Sequence, residues 1–348
     1  MNSITLKKLA DELNMSPSTV SRALRDSHEI SQETKDRVKA LADKLDFQPN
    51  PYASSLRKNK SRTIAVVIPE IQNNFFSQVM NGVEEVARQE DYHVLIYLTH
   101  EDHKREEGIL HLLRSGRVEG VMISVSNTTK SFEHIAAYQK ADLPLLFFDR
   151  VCENMEVPCV TTDDAGAAFK ATEHLLKSGC KSIAFLSLAD SLSISCGRKS
   201  GYLKALAKYG LTNNETVIEC GPDDETNRQK IRLLLQNKDR PDGIFAAVEK
   251  FAVNTYEVCR ELDIRVPQHL KVISFSNLSA AALFNPPLST IVQPAYDMGR
   301  EAANILFKII DKKKLLSAEK KMVIQSHLII RESTTSKQYA KPTVLLKP

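Results

Sequence analysis

Residues 5–25, TLKKLADELNMSPSTVSRALR, hold two capped amphipathic helices so close together that only a tight turn can join them. Leu6, Leu9, Ala10 and Leu13 recur at i, i+3, i+4 and i+7, which makes one apolar stripe on a first helix, with Thr5 as its N-cap. Asn14 and Met15 break the pattern. Ser16 followed by Pro17 restarts it, because a cap hydroxyl precedes a residue whose missing N–H costs nothing at the first helical position. On the second helix Val20 and Leu24 are expected inside. Ser18, Arg22 and Arg25, again at i, i+4 and i+7, take the outer face with Ser21 beside them. A third helix starts at Ser31 and buries Val38, Leu41, Ala42 and Leu45. Three short helices, the second presenting serines and arginines, are the arrangement that enters a DNA major groove, where a guanidinium donates two hydrogen bonds to a guanine edge. We read 1–49 as a helix-turn-helix domain.

The charge distribution points the same way. Lys and Arg outnumber Asp and Glu by 12 to 8 over the first 62 residues and balance at 35 each beyond, so the whole net charge of +4 lies on the amino-terminal part. Residues 48–62, QPNPYASSLRKNKSR, follow it. Asn50 and Pro51 can cap and start a helix, but one far below the ~12–15 residues that give marginal stability in water, so it should fold only when docked. Within a hinge at 50–61, Ala53 and Leu56 share a face suited to close approach and to wedging into a minor-groove step. Arg57, Lys58, Lys60 and Arg62 would meet phosphates.

From Thr63 the pattern becomes alternating strand and helix. Apolar runs at 63–69, 93–98, 120–125 and 143–148 alternate with helical stretches at about 75–90, 103–115 and 131–140. After residue 160 the alternation repeats, with runs at 182–188, 216–220, 243–248 and 271–276 and helices near 164–178, 197–208, 225–237 and 250–262. Strands apolar on both faces with helices between them imply parallel sheets covered on both sides. The fold class expected is therefore α/β, with 62–334 forming two lobes around a cleft. Ligands of such sheets bind beyond the carboxyl ends of strands, here after Pro69, Ser124, Phe148, Val248 and Ser276.

Several function classes find no support. There is no G-x-G-x-x-G, Walker loop, G-x-S-x-G or H-E-x-x-H, so neither an enzyme nor a bound cofactor is expected. HEDH at 100–103 places two His three apart among charges, read as a solvated helix cap and not as a metal site. Six Cys without a C-x-x-C pair, and no signal or membrane-spanning run, suggest a cytoplasmic protein with reduced thiols. The segment 335–348 is a tail with Pro342 and no heptads.

The chain resembles the LacI/GalR family of bacterial transcription regulators over roughly residues 4–334. The resemblance is carried by ITLKKLADELNMSPSTVSRAL, PNPYASSLR, IPEIQNNFFSQVMNGVEEVA, LLFFDR, VTTDDAGAAFKATEHLLKSG, GRKSGYLKAL, PPLSTIVQPAYDMGREA and LIIRES. It implies a periplasmic-binding-protein-like core and a homodimer on a pseudo-palindromic double-stranded DNA operator, acting as a repressor under a sugar-derived effector. Family members that tetramerise use a terminal coiled coil, which this tail does not offer. By resemblance, Thr5, Ser16, Pro17, Ser18, Ser21 and Arg22 are major-groove and phosphate contacts, and Ala53 and Leu56 are minor-groove contacts. The effector positions are Asn73, Phe75, Phe76, Asp149, Arg150 and Arg198, with Asp149 and Arg198 foremost, and Glu249 and Ser276 in the second lobe. Two positions depart from the family pattern. Val248-Glu249 stands where Asn-Asp is common, and Ser276-Asn277 where a carboxylate pair grips vicinal hydroxyls. With Arg150, Arg198 and Lys250 near the cleft, the expectation is an acidic or phosphorylated sugar. Control by a protein partner, or sugar binding without regulation, stands as the alternative.

Overall fold

The computed structural model describes residues 5–47, 61–72, 74–212 and 215–335, with the backbone of 343–344. The chain divides into two compact units, Met1–Ser61 and Arg62–Pro348.

In the first unit, α1 (Leu6–Glu12), α2 (Pro17–Leu24) and α3 (Gln32–Lys44) close around Leu9, Ala10, Val20, Ala23, Val38 and Ala42. The cap signals are used as read. Thr5 Oγ1 accepts from Lys8 N, Ser16 Oγ from Thr19 N at 3.1 Å, and Ser31 Oγ from Thr34 N. Asn14 ends α1 in the left-handed region at φ 54°, a conformation Asn tolerates better than most residues. Ala23 is the fully buried neighbour of Val20 on α2. Leu24, expected inside, is only half-buried at the margin of the cluster, because its position on the helix is rotated from Val20 toward the rim.

The second unit holds two sheets. In the first lobe β1 (Thr63–Ile68), α4 (Asn74–Gln89), β2 (His93–Leu98), α5 (His103–Leu113), β3 (Gly120–Ile123), α6 (Glu133–Lys140), β4 (Leu145–Phe148) and β5 (Cys159–Thr162) follow in order. The second lobe repeats the theme with α7 (Asp164–Lys177), β6 (Ile183–Ser187), α8 (Ser193–Lys208), β7 (Thr216–Glu219), α9 (Asp224–Gln236), β8 (Gly243–Ala246), α10 (Glu249–Glu261), β9 (Lys271–Phe275) and β10 (Ser289–Val292). Both sheets run in the order second, first, third, fourth, fifth strand, all parallel. Each therefore has a switch point at the carboxyl ends of its first and third strands, where open α/β sheets hold ligands.

The two lobes are not simple tandem halves. After β10, α11 (Ala295–Ile310), α12 (Ser317–Lys320) and β11 (Lys321–Ile324) return to the first lobe, where β11 pairs in parallel with β5. The chain then crosses again to β12 (His327–Ile330), antiparallel to β10 in the second sheet. β13 (Thr343–Val344) adds to β12, so part of the presumed tail pairs with that lobe. The return is fixed by close packing of α11 on α4. A Cβ at Gly82 would sit 2.1 Å from the Tyr296 carbonyl oxygen, and one at Gly299 2.1 Å from that of Val79, so each backbone touches the other where only hydrogen fits. Three connections, near 162–163, 293–295 and 324–327, thus join the lobes.

Candidate functional site

The outer face of α2 carries Ser16, Pro17, Ser18 and Arg22 in solvent, with Thr5 exposed at the start of α1 and Ser21 half-buried. Ser16 Oγ lies 2.7 Å from Ser18 Oγ as well as capping the helix. Arg22 is engaged rather than free, since its Nη1 donates to Glu29 Oε2 at 2.8 Å in an exposed pair. Such a pair is worth little in water and exchanges readily for a phosphate or base edge. Ala53 and Leu56, with the rest of the hinge, lie outside the described residues.

The carboxyl ends of β1, β4, β8, β9 and β10 converge on the interlobe cleft. Phe75, Phe76, Asp149, Arg150, Arg198, Glu249 and Ser276 all line it, together with Ile194, Val248, Phe275, Asn277 and Gln293. Asn73 lies outside the described residues. Phe75 and Phe76 are walls continuous with the first lobe's core, Phe76 meeting Phe148 edge-on at 6.4 Å.

At the centre sits a buried charge cluster. Arg198, 2% exposed, donates from Nε to Asp164 Oδ1 at 2.7 Å and from Nη1 to the Ala247 carbonyl at 2.6 Å, while its guanidinium lies 3.8 Å from the Phe275 ring centre. Arg150 donates from Nη1 to both Glu101 oxygens, and its Nε, 3.8 Å from Asp149 Oδ2, is buried with no hydrogen-bond acceptor. Asp149 holds φ at 60° and accepts from Ser124 Oγ. Burial pushes its carboxyl up to about 6, against the lowering pull of Arg150 and Arg198. Burial likewise raises Asp164.

Three contacts latch the lobes across this cleft, Asn74 to Glu249, Asn277 to Gln78 and Val151 to Ser193, and two within the second lobe hold the latching residues in place. Asn74 Nδ2 donates to Glu249 Oε1 at 3.2 Å, and Ser276 Oγ donates to Glu249 Oε2 at 2.9 Å. Asn277 Nδ2 donates to Gln78 Oε1 and to the Gln293 carbonyl, and Val151 N donates to Ser193 Oγ. The free space left is only about 30 Å³, room for a water or two and far below the roughly 300–1,000 Å³ of ligand pockets. On the other side of Asp149 and Asp164, a cavity of about 700 Å³ opens between the loop after β4 and the start of α7, lined by Cys152, Met155, Asp163 and Lys321 among others.

The electrostatics correct one expectation. Lys250 does not serve the cleft, because its ammonium binds the Pro222 carbonyl and pairs with Asp224 at 3.3 Å. Both cleft arginines are matched by carboxylates, Arg198 by Asp164 and Arg150 by Glu101 and Asp149. The surplus of positive charge that suggested an anionic ligand is therefore absent from this cluster. Sequence reasoning missed Glu101, Asp164, Asn74, Gln78 and Gln293. Asp164 had a signal, since VTTDD offers a carboxylate at a helix start directly after a strand.

Residues 61–332 match the profile described as periplasmic binding proteins and sugar binding domain of LacI family, and residues 5–50 that of the bacterial regulatory proteins, lacI family. Catabolite control protein A of Priestia megaterium is 28% identical over 317 residues, spanning 90% of this chain and 95% of its own. The HTH-type transcriptional regulator RegA of Clostridium acetobutylicum is 31% identical over 310 residues, 88% of this chain and 93% of its own. The lac repressor dimer bound to operator and an anti-inducer superposes with a TM-score of 0.85 at 21% identity, covering 96% of this chain and all of that one.

Proposed function

The chain belongs to the LacI family of bacterial regulatory proteins, and from that membership we propose that it is a cytoplasmic transcriptional repressor, dimeric on its operator, whose control ligand is a neutral polyhydroxylated molecule held between the lobes. Thr5, Ser16, Pro17, Ser18, Ser21 and Arg22 are the proposed major-groove and phosphate contacts. Thr5, Ser16, Pro17, Ser18 and Arg22 are exposed and Ser21 half-buried on one small domain whose core is filled by other residues. A homodimer on a pseudo-palindromic site doubles this face at a fixed half-site spacing.

The observation that carries the effector reading is the Nε of Arg150, a buried donor without an acceptor, set among Asp149, Arg198 and Glu249 at the switch points of both sheets. A ligand hydroxyl would accept from it and donate to Asp149 or Glu249, whose carboxylates can each take two hydroxyls. Neutrality follows from the balance of charge, since a ligand anion would meet four carboxylates (Asp149, Asp164, Glu101 and Glu249) against two guanidiniums. Entry requires Asn74 to leave Glu249 and Gln78 to leave Asn277, so ligand contacts replace interlobe latches. A ligand that favours one lobe angle shifts the equilibrium of the whole core, and operator and ligand are then coupled reciprocally, typically by ~1–3 kcal/mol.

A thermal-shift screen over neutral sugars, sugar acids and sugar phosphates tests the ligand class, followed by mobility shifts on the DNA upstream of the gene with and without each hit. Neutral sugars should raise Tm and alter the shift, and Arg150→Gln should abolish the effect. Stabilisation by sugar acids or phosphates alone would reject the neutral ligand. A second reading, control by a protein partner on the outer face, is favoured by the nearly filled cleft, and would be indicated by a screen with no hits beside salt-sensitive operator binding.

A further inference from the structure

In the first lobe, side chains from two helices gather that belong neither to the DNA-reading face nor to the cleft lining. His103 opens α5, Glu106 lies one turn on along the same face, and His134 comes from the start of α6. Their ligand-type atoms all lie within 4.8 Å of one another, and among the described residues theirs is the one such group of three or more His, Cys, Asp or Glu. His100, the other imidazole of HEDH, does not join it; the partner arrives from thirty-one positions further on, which is why local spacing gave no sign of the cluster.

We propose that His103, Glu106 and His134 bind a divalent transition-metal ion, zinc above all. Two imidazoles and one carboxylate are a donor set that zinc accepts with a fourth position left to water. Glu106 is wholly buried and held in place, its Oε2 accepting from Ser126 N at 2.7 Å and its Oε1 from Thr129 Oγ1 at 2.9 Å. Those bonds are the kind of outer contacts that aim a metal-binding carboxylate. His134 Nε2 already lies 2.8 Å from Oε1, and the two imidazoles meet edge-on with ring centres 4.8 Å apart. The second, independent observation is His103 Nδ1, which is buried and has no hydrogen-bond partner, an arrangement proteins avoid unless something satisfies the atom. Donors at ~2.1 Å on a tetrahedral zinc stand roughly 3.4 Å apart, so the widest separation, up to 4.8 Å, must close by more than an ångström, which asks the imidazoles to rotate toward Glu106.

The site touches the cleft indirectly. The loop that carries Ser126 and Thr129 also sends Asn127 N to Glu101 Oε2 at 2.7 Å, and Glu101 is the carboxylate that holds Arg150. Metal occupancy would therefore brace the segment from which a cleft arginine is positioned.

Tag-free full-length protein, dialysed against EDTA, is titrated with Co²⁺ and then Zn²⁺. One equivalent of Co²⁺ should produce visible d–d bands of low-coordinate nitrogen–oxygen ligation, bleached by one equivalent of Zn²⁺. His103→Asn and His134→Asn should each weaken Zn²⁺ at least about 100-fold, and Thr129→Val, which leaves all three ligands in place, about 10- to 100-fold. His28→Gln and His327→Gln, both remote from the cluster in sequence and absent from it, should change nothing. Far-UV circular dichroism identifies any variant that fails to fold, and Thr129→Val then carries the comparison. Absence of a stoichiometric cobalt spectrum, or a Zn²⁺ affinity unmoved by His103→Asn and Thr129→Val, overturns the proposal.

Discussion

Replacing Asp149 with Asn isolates the cost of keeping a carboxylate in the cleft. The backbone there is left-handed, φ 60°, a region where Asn replaces Asp with little strain. Asp149 is 6% exposed, and burial raises its carboxyl to about 6 from an unfolded value of ~3.9. Between those two values the native state holds a proton that the unfolded chain has released, so stability falls as pH rises through the window. The group's contribution is fully present below pH ~3.9 and lost above about 6. A shift of ~2 units at ~1.4 kcal/mol each makes the full contribution about 3 kcal/mol, of which roughly 2 kcal/mol is lost between pH 4 and pH 7, because the unfolded carboxyl is already about half ionised at pH 4. A carboxamide cannot titrate, so the variant lacks this component, while titrations remote from the cleft cancel when the two proteins are compared. The chain has no Trp, so urea unfolding at pH 4, 5, 6 and 7 is followed by far-UV circular dichroism. The difference, native protein minus variant, should drop by roughly 2 kcal/mol across that range. A flat difference, or one that grows with pH, would refute the account of Asp149 as a carboxylate whose ionisation the fold opposes.

Four further outcomes follow from the structure. Arg198→Met leaves Asp164 buried without its partner and should cost ~3–5 kcal/mol, whereas Arg198→Met with Asp164→Leu should recover more than half, both read by urea unfolding. Gly201→Ala forces a Cβ to within 2.2 Å of the Ala165 carbonyl oxygen and should lower stability by at least ~1–3 kcal/mol. Gly108→Ala, in a helix with nothing within 4 Å of the new methyl, should raise it by ~0.5–1 kcal/mol, as calorimetry would show. Arg22→Ala should lose ~1–3 kcal/mol of discrimination at one operator base pair, measured by competition with single-base variants; a uniform loss across sequences would make Arg22 a phosphate contact instead.

The three-helix unit was legible because its determinants are local. Ser16 before Pro17 and Ser31 before a periodic stripe fix helix starts within a few residues, and the observed caps use those same oxygens. Most parallel strands were legible for a related reason: β1, β3, β4, β6 and β8 are short apolar runs bounded by turns and buried on both faces, whereas β2 leaves Leu95 and Ile96 exposed, against the expectation of a sheet covered on both sides. What escaped was non-local. The return of α11 and β11 to the first lobe is decided by glycine-to-backbone contacts at Gly82 and Gly299, 217 positions apart, and no period in either helix announces which partner it meets. The cleft shows the same division. Asp149 and Arg198 could be named from the family resemblance, yet the sign of the site could not, because Arg198 is neutralised by Asp164 and Arg150 by Glu101, pairs separated by 34 and 49 positions. Counting arginines near a cleft overstates its affinity for anions whenever their counter-charges come from other elements. The physical quantity that selects a ligand is what remains unsatisfied after the protein has paired its own groups, and in the Arg150–Asp149 cluster that remainder is one buried N–H donor rather than a free positive charge.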